Sequence, residues 1–322
     1  MSVRSRPEPK PLDPAKFRDP LRTAKGEPRA HVALEALRTL WFNTGTLCNI
    51  TCTHCYIESS PRNDRLAYLT AEEVRDFLDE AEALGAPLET VGFTGGEPFM
   101  NRALPAMLAD VLARPQDLTA IVLTNAMAPL RQKRAALLAL RGRFGPERLM
   151  LRVSLDHYAA ERHDRERGPG SFAKSLEGLV WLAREGFTVH VAARAGFTEE
   201  SEDDLRDGFA RLFAAHAIPI DAQDPVALTL FPEMDPTVDV PEITEACWGI
   251  LGKSPASVMC ATSRMVAKRK GAERPVVLAC TLLADDPRFE LGDTLAGASG
   301  PVALNHPHCA KFCVLGGAAC SR

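Results

Sequence analysis

An α/β fold, a parallel sheet covered by helices, is the class that the sequence predicts, and three observations predict it. Strand-like and helix-like patterns alternate from about residue 36 to residue 235. The run "LTAIVLT" at 118–124 is almost continuously apolar, as a strand buried on both faces should be. The chain of 322 residues is 46% hydrophobic, enough to bury one large core with a small satellite.

The elements follow in order. Residues 1–35 carry Pro7, Pro9, Pro11, Pro14 and Pro20 and suit an N-terminal extension or strap. "ALRTLWFNT", 36–44, is the first strand. In "TAEEVRDFLDEAEALG", Thr70 and Glu73 form a capping box, Val74, Phe77, Leu78 and Ala81 share a face, and Gly85 is the stop. "ETVGFTGG", 89–96, predicts a strand ending in glycines. A helix near 103–113, the strand 118–124, a helix from Pro129 to Arg141 and the strand 148–156 come next. A helix over 171–185, the strand 187–193, a helix after Ser201 and the strand 225–231 complete six alternations, which imply parallel pairing. Then "PEMDPTVDVPEIT" reads as a linker, and 236–322 as a small α+β cysteine-rich domain.

Composition narrows the function classes. A net charge of −4 supplies no basic field, so nucleic acid is not an expected partner. No run of about 18 apolar residues or secretory signal is present, so neither a membrane nor export is expected and the location reads as cytoplasmic. Nine cysteines in that compartment indicate metal or redox chemistry over disulfides. Three lie at 48–55 and six at 247–320.

In "TGTLCNITCTHCYIE", Cys48, Cys52 and Cys55 are soft ligands for zinc or an iron–sulfur cluster. A closed zinc site needs a fourth ligand, and His54, adjacent to Cys55, is awkwardly placed to chelate the same ion. Three thiols instead suit three corners of a [4Fe-4S] cubane, leaving one iron open.

Cys48-x3-Cys52-x2-Cys55 after a first strand resembles the signature of the radical S-adenosylmethionine (SAM) superfamily, whose fold is a partial (β/α)6 TIM-type barrel. "GGEP", with Gly95, Gly96 and Glu97, resembles the family segment that holds the methionine amino group. "LTNA", with Asn125, is similar to the family's third-strand "TNG", with Ala126 as a departure. "SLD" offers Ser154 and Asp156 for the cofactor's ribose or carboxylate, and "HDRERGPGSF" offers Arg167, then Arg165, for the carboxylate. Tyr56 and the backbone at His54 are expected to flank the adenine. By this resemblance, residues 36–235 form the barrel. The open iron of its cluster chelates SAM, and reductive cleavage gives a 5′-deoxyadenosyl radical that abstracts a substrate hydrogen. Arg194 either faces the cavity or joins a salt bridge.

The remaining cysteines form a second group. "SVMCATSRMVAKRKGAERPVVLAC" places Cys260 and Cys280 at the ends of a predicted hairpin, and "HPHCAKFCVLGGAAC" adds Cys309, Cys313 and Cys320. The arrangement resembles the twitch domain, a shortened SPASM domain, although the full SPASM spacing is not matched. The resemblance implies one auxiliary [4Fe-4S] cluster on Cys260, Cys280, Cys309 and Cys313, with Cys320 as a substitute for either of the last two; a structural zinc is the alternative. Such a cluster assists oxidation or binds substrate. Lys268, Arg269 and Lys270 either attract an anion or form an exposed hairpin tip. The expected protein is a radical SAM enzyme, oxidoreductase-like or rearranging, acting with an external electron donor. No separate recognition domain is visible, which favours a small molecule over a peptide or protein substrate. An iron–sulfur or zinc scaffold without SAM chemistry is the reading from another class.

Overall fold

The computed structural model describes residues 10–196 and 199–318. Strand β1 is His31–Val32, β2 is Thr39–Asn43, and helix α1 is Ala71–Ala83. The expected capping box starts α1: Thr70 accepts from the Glu73 amide at 3.1 Å, while the Glu73 carboxylate accepts from the Thr70 amide at 2.9 Å. Next come β3 (Thr90–Thr94), α2 (Leu104–Leu112) and β4 (Thr119–Thr124). The single helix expected at 129–141 is two, α3 (Ala128–Arg131) and α4 (Arg134–Phe144). Strand β5 (Leu149–Ser154) leads into α5 (Ala160–Arg167) and α6 (Ser171–Arg184). Strand β6 (Thr188–Arg194), α7 (Glu202–Ala215) and β7 (Leu228–Phe231) complete the alternation.

Strands β2 to β7 pair in sequence order, every neighbour parallel. This is the expected partial barrel. The two faces feed different cores. Leu40 and Phe42 of β2 pack on the helix side, where the Phe42 and Phe93 rings stack 5.7 Å apart. Trp41, between them in sequence, turns to the other face and joins Ile121 and Met265. Its ring lies over Gly92, where a Cβ would come within 2.2 Å of it, so only glycine permits that packing.

After the short helix α8 (Cys247–Leu251), the predicted hairpin is β8 (Ser263–Ala267) and β9 (Val276–Leu278). It does not stand apart from the barrel sheet. Strand β8 pairs parallel with β2, in the register Thr39↔Ser263 to Phe42↔Val266, and β10 (Glu290–Gly292) extends β9. Every residue of β8 is buried, so docking on the open edge of β2 satisfies its backbone and hides its side chains together. Buried Arg264 secures the turn before it, donating to the carbonyls of Cys260 (2.7 Å), Ala298 (2.8 Å) and Gly300 (3.1 Å).

The N-terminal segment straps this C-terminal region. β1 pairs antiparallel with β11 (Val302–Ala303), and isolated bridges join Pro11 to Val238 and Arg29 to Thr244. Buried Arg29 donates to Glu242 at 2.5 Å and to the Leu304 carbonyl at 3.1 Å. The hairpin-tip cations are all ion-paired: Lys268 with Glu73, Arg269 with Glu290 and Lys270 with Asp64.

Candidate active site and second cysteine cavity

The carboxyl ends of β2 to β7 open onto one cavity, lined at those ends by Asn43, Thr94, Asn125, Ser154, Arg194 and Phe231. Cys48, Cys52 and Cys55 line the same space, with Tyr56, Gly95, Gly96, Asp156 and Arg167. Two residues offered for the cofactor do not line it: Glu97 stands buried behind the wall, and exposed Arg165 pairs with Glu161 at 3.3 Å.

The two glycines also seat the cysteine loop. A Cβ on Gly96 would meet the Leu47 carbonyl oxygen at 2.2 Å, and one on Gly95 would meet the Gly45 oxygen at 2.5 Å. The room that glycine provides is therefore taken by the loop leading into Cys48. The Gly96 amide donates to the Gly45 carbonyl (2.8 Å) and the Glu97 amide to that of Leu47 (3.1 Å), fixing the cysteine loop on the end of β3. From the opposite side, the Thr53 amide donates to the Glu166 carbonyl at the end of α5 (2.8 Å).

Glu97 organises the next strand end. Its carboxylate accepts from the Thr124 hydroxyl (2.8 Å), the Asn125 amide (2.8 Å) and the Phe99 amide (3.2 Å). Burial outweighs those donors and pushes its carboxyl up to about 7. Asn125 in turn donates from Nδ2 to Asn49 Oδ1 at 2.9 Å, and that nitrogen lies 4.0 Å from Cys48 Sγ. Ala126, which stands where the family's "TNG" has glycine, is at φ +58°, in the left-handed region.

Arg167 is held by Asp156 in a bidentate pair, Nε to Oδ2 at 2.7 Å and Nη2 to Oδ1 at 2.8 Å. Burial alone would raise the Asp156 carboxyl; the Arg167 charge and hydrogen bonds hold it below its ordinary value. A cofactor carboxylate would share Arg167 with Asp156 through the remaining guanidinium N–H groups. Beside this pair runs a chain of charges that sequence reasoning only touched. His54 Nδ1 and Arg194 Nη1 both reach Glu166 Oε2, at 2.7 and 2.6 Å, and Arg194 Nη2 donates to Glu233 at 2.8 Å. Arg194 thus does both things offered for it, facing the cavity and bridging two acids. Glu166 precedes Arg167 in the same motif, but nothing in its spacing marks it.

Burial pushes the Cys48 thiol up to about 12 and raises Cys52 as well. Such thiols ionise only beside strong positive charge, which bound iron supplies. The Ser59 amide donates to Cys55 Sγ at 3.3 Å. This donor set fits a cluster held by three cysteines.

A second cavity is lined by Cys260, Cys280, Cys309 and Cys313, by apolar side chains with Phe289, and by His308. Two of the thiols lie four residues apart on one wide π-helical turn, Cys309–Leu315. Burial pushes Cys260 up to about 11 and Cys309 up to about 12, and lowers His308 to about 4. Cys320 lies outside the described residues. Cys247 lines neither cavity; its sulfur sits 3.3 Å from the Thr244 hydroxyl. Leu282 lines both cavities, and Thr281, next to Cys280, lines the first.

A parallel barrel that gathers three thiols and a paired arginine at its strand ends belongs to the class of iron–sulfur barrels built to hold a small charged cofactor. Residues 42–212 match the family model described as the Radical SAM superfamily, and the chain belongs to that superfamily. The three-cysteine loop and the cavity beside it fit the [4Fe-4S] cluster and SAM that give the superfamily its name and chemistry.

Its relatives are diverse. The chain is 30% identical over 152 residues to Fe-coproporphyrin III synthase of Methanosarcina barkeri, covering 46% of this chain and 34% of that protein. It is 30% identical over 146 residues to the antilisterial bacteriocin subtilosin biosynthesis protein AlbA of Bacillus subtilis, covering 45% and 30%. The matched stretch is thus about a third of these curated relatives' length. Streptococcus suis SuiB, solved bound to S-adenosylmethionine and to the precursor peptide SuiA, shares the fold. In the peptide complex the TM-score is 0.57 at 13% identity, with 83% of this chain and 65% of that chain covered. No described helix is long and apolar enough to cross a membrane.

Proposed function

We propose that this enzyme abstracts a hydrogen from a small molecule held at the mouth of the barrel, and that Cys260, Cys280, Cys309 and Cys313 hold an auxiliary [4Fe-4S] cluster in a twitch-like domain spanning 236–322. Cys48, Cys52 and Cys55 would hold the SAM-binding cluster. When bound, that cluster and SAM, with an electron from an external donor, supply the 5′-deoxyadenosyl radical.

The chain's own part is ligation, orientation and exclusion of water. On this reading Gly95, Gly96 and Asn125 form the wall for the methionine end, Ser154 and Arg167 position the ribose or carboxylate, and Tyr56 flanks the adenine. Glu97 and Asp156 hold Asn125 and Arg167 in place rather than meeting the cofactor first. Arg194, Phe231 and Thr281 line the remaining space.

The observation that carries the proposal is the sharing of Leu282 by the two cavities. A substrate resting on the Thr281–Leu282 wall would lie beside the second cysteine group, where a fully ligated cluster would accept an electron from it. Among the described residues, no three His, Cys, Asp or Glu side chains converge on a single-ion position. Zinc draws each thiolate to about 2.3 Å from one point, whereas a cubane spreads its cysteines over separate irons.

Peptide modification is the second reading, favoured by the likeness to a bacteriocin biosynthesis protein. Anaerobic incubation with SAM, dithionite and deuterated candidates of both kinds tests the proposal. Deuterium in 5′-deoxyadenosine from a small molecule supports it; transfer only from a peptide replaces it with the second reading. Release of no 5′-deoxyadenosine from fully reconstituted protein would leave the scaffold reading.

A further inference from the structure

Building on the auxiliary-cluster reading, we propose that His308 donates a hydrogen bond from Nδ1 to the sulfur of that cluster or of its cysteine ligands, and so sets its reduction potential. The ring lies on the wall of the second cavity and is 7% exposed. Nδ1 is buried and, among the described residues, has no hydrogen-bond partner. Buried polar atoms in native structures are nearly always paired, and each exception calls for a partner that is missing from the account.

The cavity limits what that partner is. Apart from His308 itself, the described residues that line it contribute apolar side chains and the four cysteines, so sulfur is the side-chain partner on offer. The ring is also well placed for the task. His308 immediately precedes the turn that carries Cys309 and Cys313, its backbone amide donates to His306 Nδ1 at 3.1 Å, and the two imidazoles lie 4.6 Å apart. The arrangement parallels the first cavity, where the Ser59 amide reaches Cys55 and Asn125 approaches Cys48. In the second cavity the Leu282 amide donates to Cys280 at 3.4 Å, and His308 adds a side-chain donor from the opposite chain segment.

A hydrogen bond to cluster sulfur favours the reduced, more negative state and therefore raises the potential. An acceptor of electrons from a substrate radical benefits from that direction of tuning. The test uses full-length chain in which Cys48, Cys52 and Cys55 are all replaced by Ala, so that after anaerobic reconstitution only the second site holds a cluster. Its midpoint potential is measured by redox titration followed by electron paramagnetic resonance, with His308 intact, with His308→Leu and with His308→Gln. The expected result is a shift to more negative potential in His308→Leu and recovery of most of it in His308→Gln, which keeps an N–H donor. Where His308→Leu does not fold, His308→Met, of similar volume and also without a donor, takes its place.

Equal potentials with His308 and with Leu or Met overturn the role, as does a Gln variant as negative as the donor-free one. Loss of the cluster from Gln, Leu and Met variants alike makes His308 a ligand and overturns it too. A protein that keeps His308 and all four cysteines yet binds no cluster in the triple-alanine background overturns the auxiliary-cluster reading itself, a result distinct from an unshifted potential.

Discussion

The two cysteine cavities meet at Leu282 but are built on opposite principles. The first presents three thiols among charged and amide groups: Asp156 with Arg167, Glu166 with Arg194, and Asn125. The second presents four thiols among apolar side chains. Polar walls suit a site that must bind, orient and release a charged cofactor and a substrate. Apolar walls suit a resident group that exchanges electrons and little else. The count of thiols points the same way, since a vacancy is useful only where something is to bind.

Removing one thiol from each cavity breaks the comparison most severely. Cys52→Ala is expected to lower 5′-deoxyadenosine formation by more than about 100-fold, the order of loss when a group essential to the chemistry is removed. Cys280→Ala should leave SAM cleavage detectable while removing about four iron per chain, one cubane's worth. Iron analysis alongside product assay checks both, and equal effects on SAM cleavage would erase the distinction between the cavities.

Gly96→Ala acts next. Its Cβ would overlap the Leu47 carbonyl, a backbone group that cannot swing aside. A destabilisation of about 1–3 kcal/mol is expected, with displacement of the cysteine loop seen as loss of the SAM-site cluster while the second is retained.

Glu97 provides a test by pH. Its folded carboxyl is raised to about 7 from an ordinary value of 4.5, so the proton is held more tightly when folded. Its contribution to stability is therefore complete below about 4.5 and is lost as pH rises through about 7. Thermal melting of cluster-free wild type and Glu97→Gln at pH 5.5 and 8 should show the difference between them change with pH. A constant difference would mean that Glu97 does not titrate in that range.

The smallest effect is expected from Ala126→Gly. The positive φ at Ala126 is relieved by glycine, which should stabilise the protein by up to about 1 kcal/mol without changing SAM affinity. Equilibrium denaturation checks the sign.

Much of this was legible because it is local. The capping box of α1, the alternation of strands and helices, and the spacing of Cys48, Cys52 and Cys55 are short-range patterns set by backbone geometry and ligand chemistry. The strand ends followed, since in a parallel barrel they all face one way. The docking of β8 on β2 was not legible, because an open sheet edge accepts any strand that buries its side chains there. Nor was the Glu166–Arg194 chain, which joins residues 28 apart.

By itself the sequence determined the barrel elements, the three-thiol loop and the residues that surround it. Only the tertiary structure decided that Gly95 and Gly96 make room for that loop, that Glu97 supports Asn125 from behind, and that the cavity shared by the four expected C-terminal cysteines is apolar. The physical reason is range. A motif fixes which groups are near one another along the chain, whereas contact and burial depend on packing between segments far apart in it.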